Sequence, residues 1–189
     1  MRNAVLAALF LTATLLGSTA ASAQQFDVAF GFNGLTAPSA SEAGPDHQPQ
    51  SVGGGFYPSF SANVLMWGRL GVQGEVAWRL RQNLYQGFQP FRPILFDING
   101  IWAPEFGEKA AAELMAGFGV QSSRFYQPNF QCGSFTGCTN YVSSNHLMGH
   151  LGAGFRYYVT DNVFVRPEAH FYFVRNNFEF SGSNANRYG

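Results

Sequence analysis

Charged side chains recur at alternating positions in segments that are otherwise apolar, and they all fall on one face of those segments. If that face is enclosed, opposite charges must pair, because an isolated buried charge is costly. We therefore predict a buried charge network, and Arg81 falls on the same face. Its predicted members are Asp27, Glu75, Arg79, Asp97, Glu113, Arg156, Arg166 and Glu168.

Two strand registers would bring members of this set together. One register allowed by the turn at 160–162 places Arg156 beside Arg166, with Glu168 diagonal to Arg156. One register across the connection at 124–145 places Glu113 opposite Arg156. A network of these four residues indicates a structural plug, and the alternative interpretation is an ion path or gate.

Three histidines share the charged face. His146 and His150 are four residues apart, about 13 Å along a strand, which is too far to share a metal ion without a bend. His170 follows Glu168 by two residues, and a base oriented by a carboxylate could serve a hydrolase. No serine nucleophile stands two residues further on, where Tyr172 lies. We predict no catalytic residue, no metal ligand, no cofactor and no enzyme activity.

Cys132 and Cys138 lie in the same connection, and two nearby cysteines in an exported protein predict a disulfide. Rigid aromatic side chains on a constrained, exposed loop are good binding anchors. We predict surface recognition by this loop, and the alternative is that its aromatics pack on the rim of the fold. The aromatic residues concerned are Phe125, Tyr126, Phe130, Phe135 and Tyr141.

The N-terminus has the pattern of a secretory signal peptide. Arg2 precedes an apolar run at 4–16, and Ala21-Ser22-Ala23 forms a small-x-small cleavage site. We predict two regions, a signal peptide at 1–23 and one domain at 24–189. With 12% charged residues and a net charge of zero, the 189-residue chain does not resemble a nucleic-acid-binding protein.

The domain has a two-residue period, which predicts β-strands with two different faces. The predicted strands are residues 26–33, 57–66, 70–81, 93–102, 110–123, 146–159 and 163–174. Short connections at 67–69, 103–109 and 160–162 alternate with long ones at 34–56, 82–92, 124–145 and 175–186. Long and short connections therefore fall at opposite ends of an up-and-down antiparallel sheet.

The uncharged face of these strands is rich in Phe, Val, Ala and Gly. In a transmembrane barrel that face contacts lipid and the polar face lines the interior. Trp67, Trp102, Tyr157 and Tyr158 lie beside the short turns, where an aromatic girdle would meet one membrane interface. The soluble alternative is a secreted, ligand-carrying β-barrel with the opposite orientation of the two faces.

At this point the chain resembles the small eight-stranded outer-membrane β-barrels of Gram-negative bacteria, of the OmpA, OmpX and opacity-protein type. The resemblance is carried by the signal ending in Ala21-Ser22-Ala23 and by the segments QFDVAFGFN, LGVQGEVAWRLR and LGAGFRYYVTDNVFVRPEAHFYF. It implies an all-β, up-and-down transmembrane barrel in the bacterial outer membrane. Seven strands and the start of an eighth are visible, and we expect the C-terminal strand to be truncated in this sequence. Pro167 predicts a bulge in the seventh strand.

The predicted function is a structural or adhesion-like role, carried by the long extracellular loops of a barrel with a plugged polar lumen. The alternatives are a narrow channel for small solutes and a lipid-modifying outer-membrane hydrolase. The expected partners are outer-membrane lipid and a cell-surface or matrix molecule, with no nucleic acid, and the expected state is a monomer. A general porin is excluded because 16–18 strands of roughly 10 residues would exceed this length.

Overall fold

The computed structural model describes residues 25–36, 54–67, 69–85, 88–133, 137–174 and 187–189. The predicted signal peptide at 1–23 lies outside these residues. The described residues form one antiparallel sheet of ten strands, and they contain no helix long and apolar enough to cross a membrane. The strands are β1 (Gln25–Leu35), β2 (Gly55–Trp67), β3 (Leu70–Trp78), β4 (Asn83–Tyr85), β5 (Gln89–Trp102), β6 (Ala110–Gly133), β7 (Gly137–Thr160), β8 (Val163–Val165), β9 (Glu168–Val174) and β10 (Arg187–Tyr188).

Neighbours in the sheet follow the chain in the order β1-β2-β3-β5-β6-β7-β9-β10, with β4 paired to β5 and β8 paired to β7. The predicted all-β, up-and-down antiparallel fold is therefore confirmed. The sheet is not closed, and β1 and β10 form its two edges. Backbone bonds of 2.7 and 3.0 Å join Gly189 to His170, and a Cβ built on Gly189 would lie 3.3 Å from the Gly34 carbonyl oxygen. A full-length eighth strand stays a prediction.

The long connection predicted at 124–145 is wrong, because most of it is a β-hairpin. Strands β6 and β7 are 24 residues long each, and they pair as far as Tyr126↔Tyr141 and again from Gln131↔Thr139 to the hairpin tip. The register shifts between Tyr126 and Gln131, so the outer part of the hairpin is a second paired segment beyond an irregularity. A smaller hairpin, formed by β4 and the start of β5, likewise replaces part of the connection predicted at 82–92.

The two faces of the sheet are sorted as the two-residue period predicts. On the outward face Phe118 is 67% exposed, whereas Gln73 and Asn99 on the inward face are fully buried. Two assignments are wrong. Arg81 is exposed because β3 ends at Trp78 rather than at Arg81. Tyr158 belongs to the interior and not to an aromatic girdle, because its hydroxyl accepts hydrogen bonds from Gln25 and Arg156.

The sequence predicted a polar interior, but only its middle layer is polar. This layer lies between two apolar clusters, which are called the upper and the lower cluster. The inward side chains of the upper cluster lie toward the long connections, and those of the lower cluster lie toward the short turns. The upper cluster contains Leu35, Tyr57, Ala77, Phe91, Leu95, Phe125, Met148, Tyr172 and Val174. The lower cluster contains Leu65, Ile101, Ala103 and Met115.

Pro167 interrupts the seventh predicted strand without adding a residue, so the predicted bulge is wrong. The pairs Tyr157↔Val165 and Gly154↔Glu168 keep the same register on both sides of the proline. The Phe155 N–H donates to the Pro167 carbonyl at 3.0 Å, but proline has no N–H with which to return the bond. The result is a break between β8 and β9, and the register irregularity lies instead between Tyr158 and Thr160.

Candidate functional site

Arg156 occupies the centre of the polar layer and is 1% exposed. Its Nη1 donates to Asp27 Oδ2 at 2.5 Å, and its Nη2 donates to Glu113 Oε2 at 2.8 Å. The Tyr158 hydroxyl accepts a further bond from Nη1 at 3.3 Å. This guanidinium therefore joins a carboxylate on the first strand to one on β6, which neighbours its own strand β7.

Glu113 also binds a second cation, because its other carboxylate oxygen accepts from Arg166 Nη1 at 3.2 Å. Arg166 Nη2 donates to Ser61 Oγ at 2.8 Å, and Arg166 Nε lies 2.9 Å from Glu168 Oε1. With its amide oxygen turned toward the arginines, Asn63 accepts from Arg166 at 2.6 Å and from Arg156 at 3.1 Å. Three carboxylates and two guanidinium groups thus form one continuous chain across the interior.

The register behind this chain differs from one of the two that the sequence suggested. Arg156 and Arg166 share a neighbourhood as predicted, but Glu113 lies opposite Gly154 rather than opposite Arg156, which pairs with Ala111. Glu113 therefore reaches Arg156 diagonally. Gly154 leaves space for the Glu168 side chain at the other end of the ion-pair chain, because a Cβ at this position would lie 2.9 Å from Glu168 Cγ.

Arg79 is not part of the chain of ion pairs. The sequence predicted it to be a member because it is charged and lies on the inward face of its predicted strand. It follows the end of β3 at the long-connection end, where a Cβ built on Gly55 would lie 2.7 Å from Arg79 Nε. Glu75 and Asp97 are buried at 6% and 5% exposure, but they lie beside the histidines rather than in contact with Arg156.

His150 and His170 form a pair that the sequence analysis missed. His150 Nε2 lies 3.0 Å from His170 Nδ1, and His150 Nδ1 lies 3.0 Å from Asn99 Oδ1 and 3.2 Å from Asp97 Oδ1. His170 Nε2 is 3.7 Å from Glu168 Oε2, so the histidine pair joins the end of the ion-pair chain. A signal for this pair was present, because the register that sets Arg156 beside Arg166 also sets His150 opposite Tyr172.

The histidine pair is arranged as a structural element. Two oxygens face His150 Nδ1, so this nitrogen is placed to donate, and His150 Nε2 lies within hydrogen-bond distance of His170 Nδ1. Tyr172 stacks on His150 at 4.4 Å, and the two imidazoles are only 1% and 3% exposed. In the described residues no cluster of three or more His, Cys, Asp or Glu could hold a metal ion.

The hairpin of β6 and β7 carries the predicted recognition residues, and the predicted disulfide between Cys132 and Cys138 is confirmed. Tyr126 meets Tyr141 at 6.1 Å, and Phe130 is 70% exposed. Phe125 cannot be a surface anchor, because it is 8% exposed and stacks on Phe91 at 5.7 Å in the upper apolar cluster. Phe135 lies outside the described residues.

No protein-family model matches this sequence, and no curated protein matches it. Solved structures with the same fold include a neisserial and a Yersinia protein. Neisserial surface protein A (NspA) is 15% identical, with a TM-score of 0.61 over 87% of this chain and 90% of that chain. Ail, the attachment invasion locus protein of Yersinia pestis, solved with the heparin analogue sucrose octasulfate, is 11% identical, with a TM-score of 0.51 over 87% of this chain and 94% of that chain. The chain therefore has the fold of small eight-stranded outer-membrane β-barrels, as the resemblance implied.

The position of Glu113 between two guanidinium groups yields a stability prediction. The substitution Glu113→Gln turns charge-assisted hydrogen bonds into neutral ones and should lower the free energy of unfolding by about 1.5–3 kcal/mol. The measurement is urea unfolding of the folded protein in detergent micelles. Glu108→Gln, at an exposed position in a short turn, is the matched control and should change stability little. Equal effects of the two substitutions would show that the ion-pair chain does not stabilise the fold.

Proposed function

We propose that this chain is an outer-membrane surface protein, exported by a cleaved signal peptide at 1–23, with a non-enzymatic, adhesion-like role. It acts as a monomer that presents a rigid hairpin to a cell-surface or matrix partner. The observation that carries the proposal is the pairing of β6 and β7 out to a disulfide at Cys132–Cys138.

The outward face supports a location in lipid. Large apolar side chains on this face are exposed on strand after strand, for example Phe26 at 67%, Ile98 at 58% and Leu147 at 77%. A soluble monomer rarely exposes a continuous apolar surface of this kind, because its contact with water is unfavourable. The polar groups of the same strands face the interior instead, which is the arrangement of a transmembrane barrel.

The extended hairpin supports recognition. Strand β6 is 24 residues long, whereas β5 is 14 residues long and β3 is 9 residues long, so the hairpin extends beyond its neighbours at the long-connection end. The disulfide joins directly opposed residues and restricts the tip, which lowers the entropy lost on binding. Phe130 offers an exposed aromatic surface close to that tip.

The packing of the interior supports a plug rather than a narrow channel, although a cavity of about 640 Å³ at the short-turn end reaches Arg156. An ion-pair chain and two apolar clusters occupy successive levels of the interior, and Arg156, Glu113 and His150 are each at most 1% exposed. The same burial argues against the hydrolase alternative. A substrate approaching from lipid would meet the apolar outward face and not the histidine pair.

Cell fractionation tests the membrane location. The protein expressed in a Gram-negative host should require detergent for extraction, and it should migrate differently on a gel before and after boiling. Both results follow from a hydrogen-bonded barrel with an apolar outer surface. Recovery in the soluble periplasmic fraction would contradict the proposal and favour the secreted carrier.

Planar-bilayer recording separates the plug from the channel. The unmodified protein should show little or no steady conductance, because the interior carries bound ion pairs rather than a water path. Large and reproducible channels would contradict the plug and favour the narrow-channel alternative.

Substitution at the hairpin tip tests the recognition surface. Phe130→Ala should weaken binding to host cells or immobilised heparin, and deletion of residues 131–139 should abolish it while the heat-dependent gel shift remains. Heparin is a reasonable first probe because the Ail structure contains a heparin analogue. Phe88→Ala is the matched control, since Phe88 is 71% exposed in a different connection at the same end. Normal binding after the deletion, or after replacement of both cysteines by serine, would contradict a role for the constrained hairpin.

A further inference from the structure

Arg92 and Arg124 are directly opposite each other on β5 and β6, and both lie on the outward face. Like charges in such a pair repel, so an opposed pair of arginines is unfavourable unless an anion compensates it. Within the described chain neither residue forms an ion pair, and the Nε of each is buried without a hydrogen-bond partner. The sheet therefore presents two cations with unused hydrogen-bond donors.

Both guanidinium groups are held in place at the edge of the apolar outer surface. Arg92 Nη2 lies 3.5 Å from the Leu80 carbonyl oxygen, and the Arg124 guanidinium carbon lies 4.8 Å from the centre of the Tyr141 ring. Along β5, the exposed Phe96 is four residues from Arg92, about 13 Å away. Arginine and tyrosine just above apolar side chains are typical of the level of lipid headgroups.

An apolar groove of about 590 Å³ opens on the same strands, and its nearest lining residue on β5, Phe96, is about 13 Å from Arg92. Phe96, Phe118 and Leu147 contribute to its walls, and Gly74 contributes to its floor. The groove is deep at Gly74 because that residue has no side chain, and a Cβ built there would meet no atom within 4 Å. Its dimensions suit part of an acyl chain.

Charge is distributed unequally between the two ends of the described chain. The long-connection end carries Arg79, Arg81, Arg92, Arg124 and Arg187, and no described Asp or Glu lies there. At the short-turn end the described charges outside the strands nearly balance, since Glu105, Glu108 and Asp161 lie there together with Arg69 and Lys109. The electrostatic field of the described chain thus favours an anion at the end of the sheet that carries Arg92 and Arg124.

We propose that this face binds one anionic, phosphate-bearing lipid, with its headgroup on Arg92 and Arg124 and an acyl chain in the groove over Gly74. The proposal rests on the membrane location proposed above. A lipid satisfies both halves of the site, because its phosphate compensates the opposed arginines while its chain fills the groove. A soluble anion would satisfy only the first half, and a neutral lipid only the second.

Native mass spectrometry of the full chain in detergent provides the test, with phosphatidylglycerol as the anionic probe and phosphatidylcholine as the zwitterionic one. We expect the protein to retain phosphatidylglycerol preferentially. Each of Arg92→Gln and Arg124→Gln should weaken that retention about fivefold, which corresponds to the usual contribution of one arginine near an anionic headgroup. Gly74→Leu should weaken the retention of both lipids several-fold, because the new side chain occupies the groove.

Two matched controls keep the test specific. Arg69→Gln removes an exposed cation at the short-turn end, and Gly34→Leu adds the same side chain at an outward glycine of β1 whose Cβ would also meet no atom within 4 Å. Neither substitution should change lipid retention. The heat-dependent gel shift checks that each variant is folded.

The outcomes separate this proposal from the membrane location on which it rests. Recovery of the protein in the soluble fraction would defeat both. A membrane-embedded protein that retains the two lipids equally, or whose arginine and glycine variants retain phosphatidylglycerol normally, would overturn the lipid site alone. Displacement of the lipid by inorganic phosphate at equal concentration would overturn it as well, since the groove would then contribute nothing.

Discussion

The carboxylate of Glu113 is fully buried and binds two guanidinium groups, and the relative positions of several strands depend on this interaction. Through Arg156 it reaches Asp27 on β1, and through Arg166 it reaches Glu168 on β9. The first and the last long strands of the sheet are thus coupled through side chains although their backbones are not paired with each other. Because each buried charge is costly without its partners, strand registers that separate these residues are disfavoured.

The sequence was sufficient to predict the parts of the structure that depend on a two-residue period. The sorting of Phe118 outward and Asn99 inward follows from alternation alone, and the disulfide was predicted from two nearby cysteines in a chain expected to be exported. The extension of β6 and β7 could not be read in this way, since Ser, Asn and Gln interrupt the apolar pattern while the backbone pairing continues. Strand pairing depends on backbone hydrogen bonds that every residue except proline can make. It therefore cannot be predicted from the hydropathy of the side chains.

Contacts across strands were less predictable, because they depend on register to the single residue. Glu113 reaches Arg156 diagonally rather than directly, because the residue opposite Glu113 is Gly154. The pairing of His150 with His170 could be predicted only from the register of β7 and β9. That register is the one in which Arg156 lies beside Arg166. Phe125 was misassigned because the predicted strand ended at residue 123. The strand in fact continues past Phe125, so the alternation of faces turns this side chain inward.

The disulfide at the tip of the hairpin also bears on the order of assembly. Cys132 and Cys138 are six residues apart in sequence, so the ring that they close is local and its formation requires no distant strand. Contacts of low sequence separation form early in folding, and β6 and β7 begin as neighbours on either side of that ring. The longest pair of strands can therefore act as a nucleus onto which β5 and β9 add from the two sides. In this order of events, the disulfide that restricts the exposed tip also favours the first step of strand pairing.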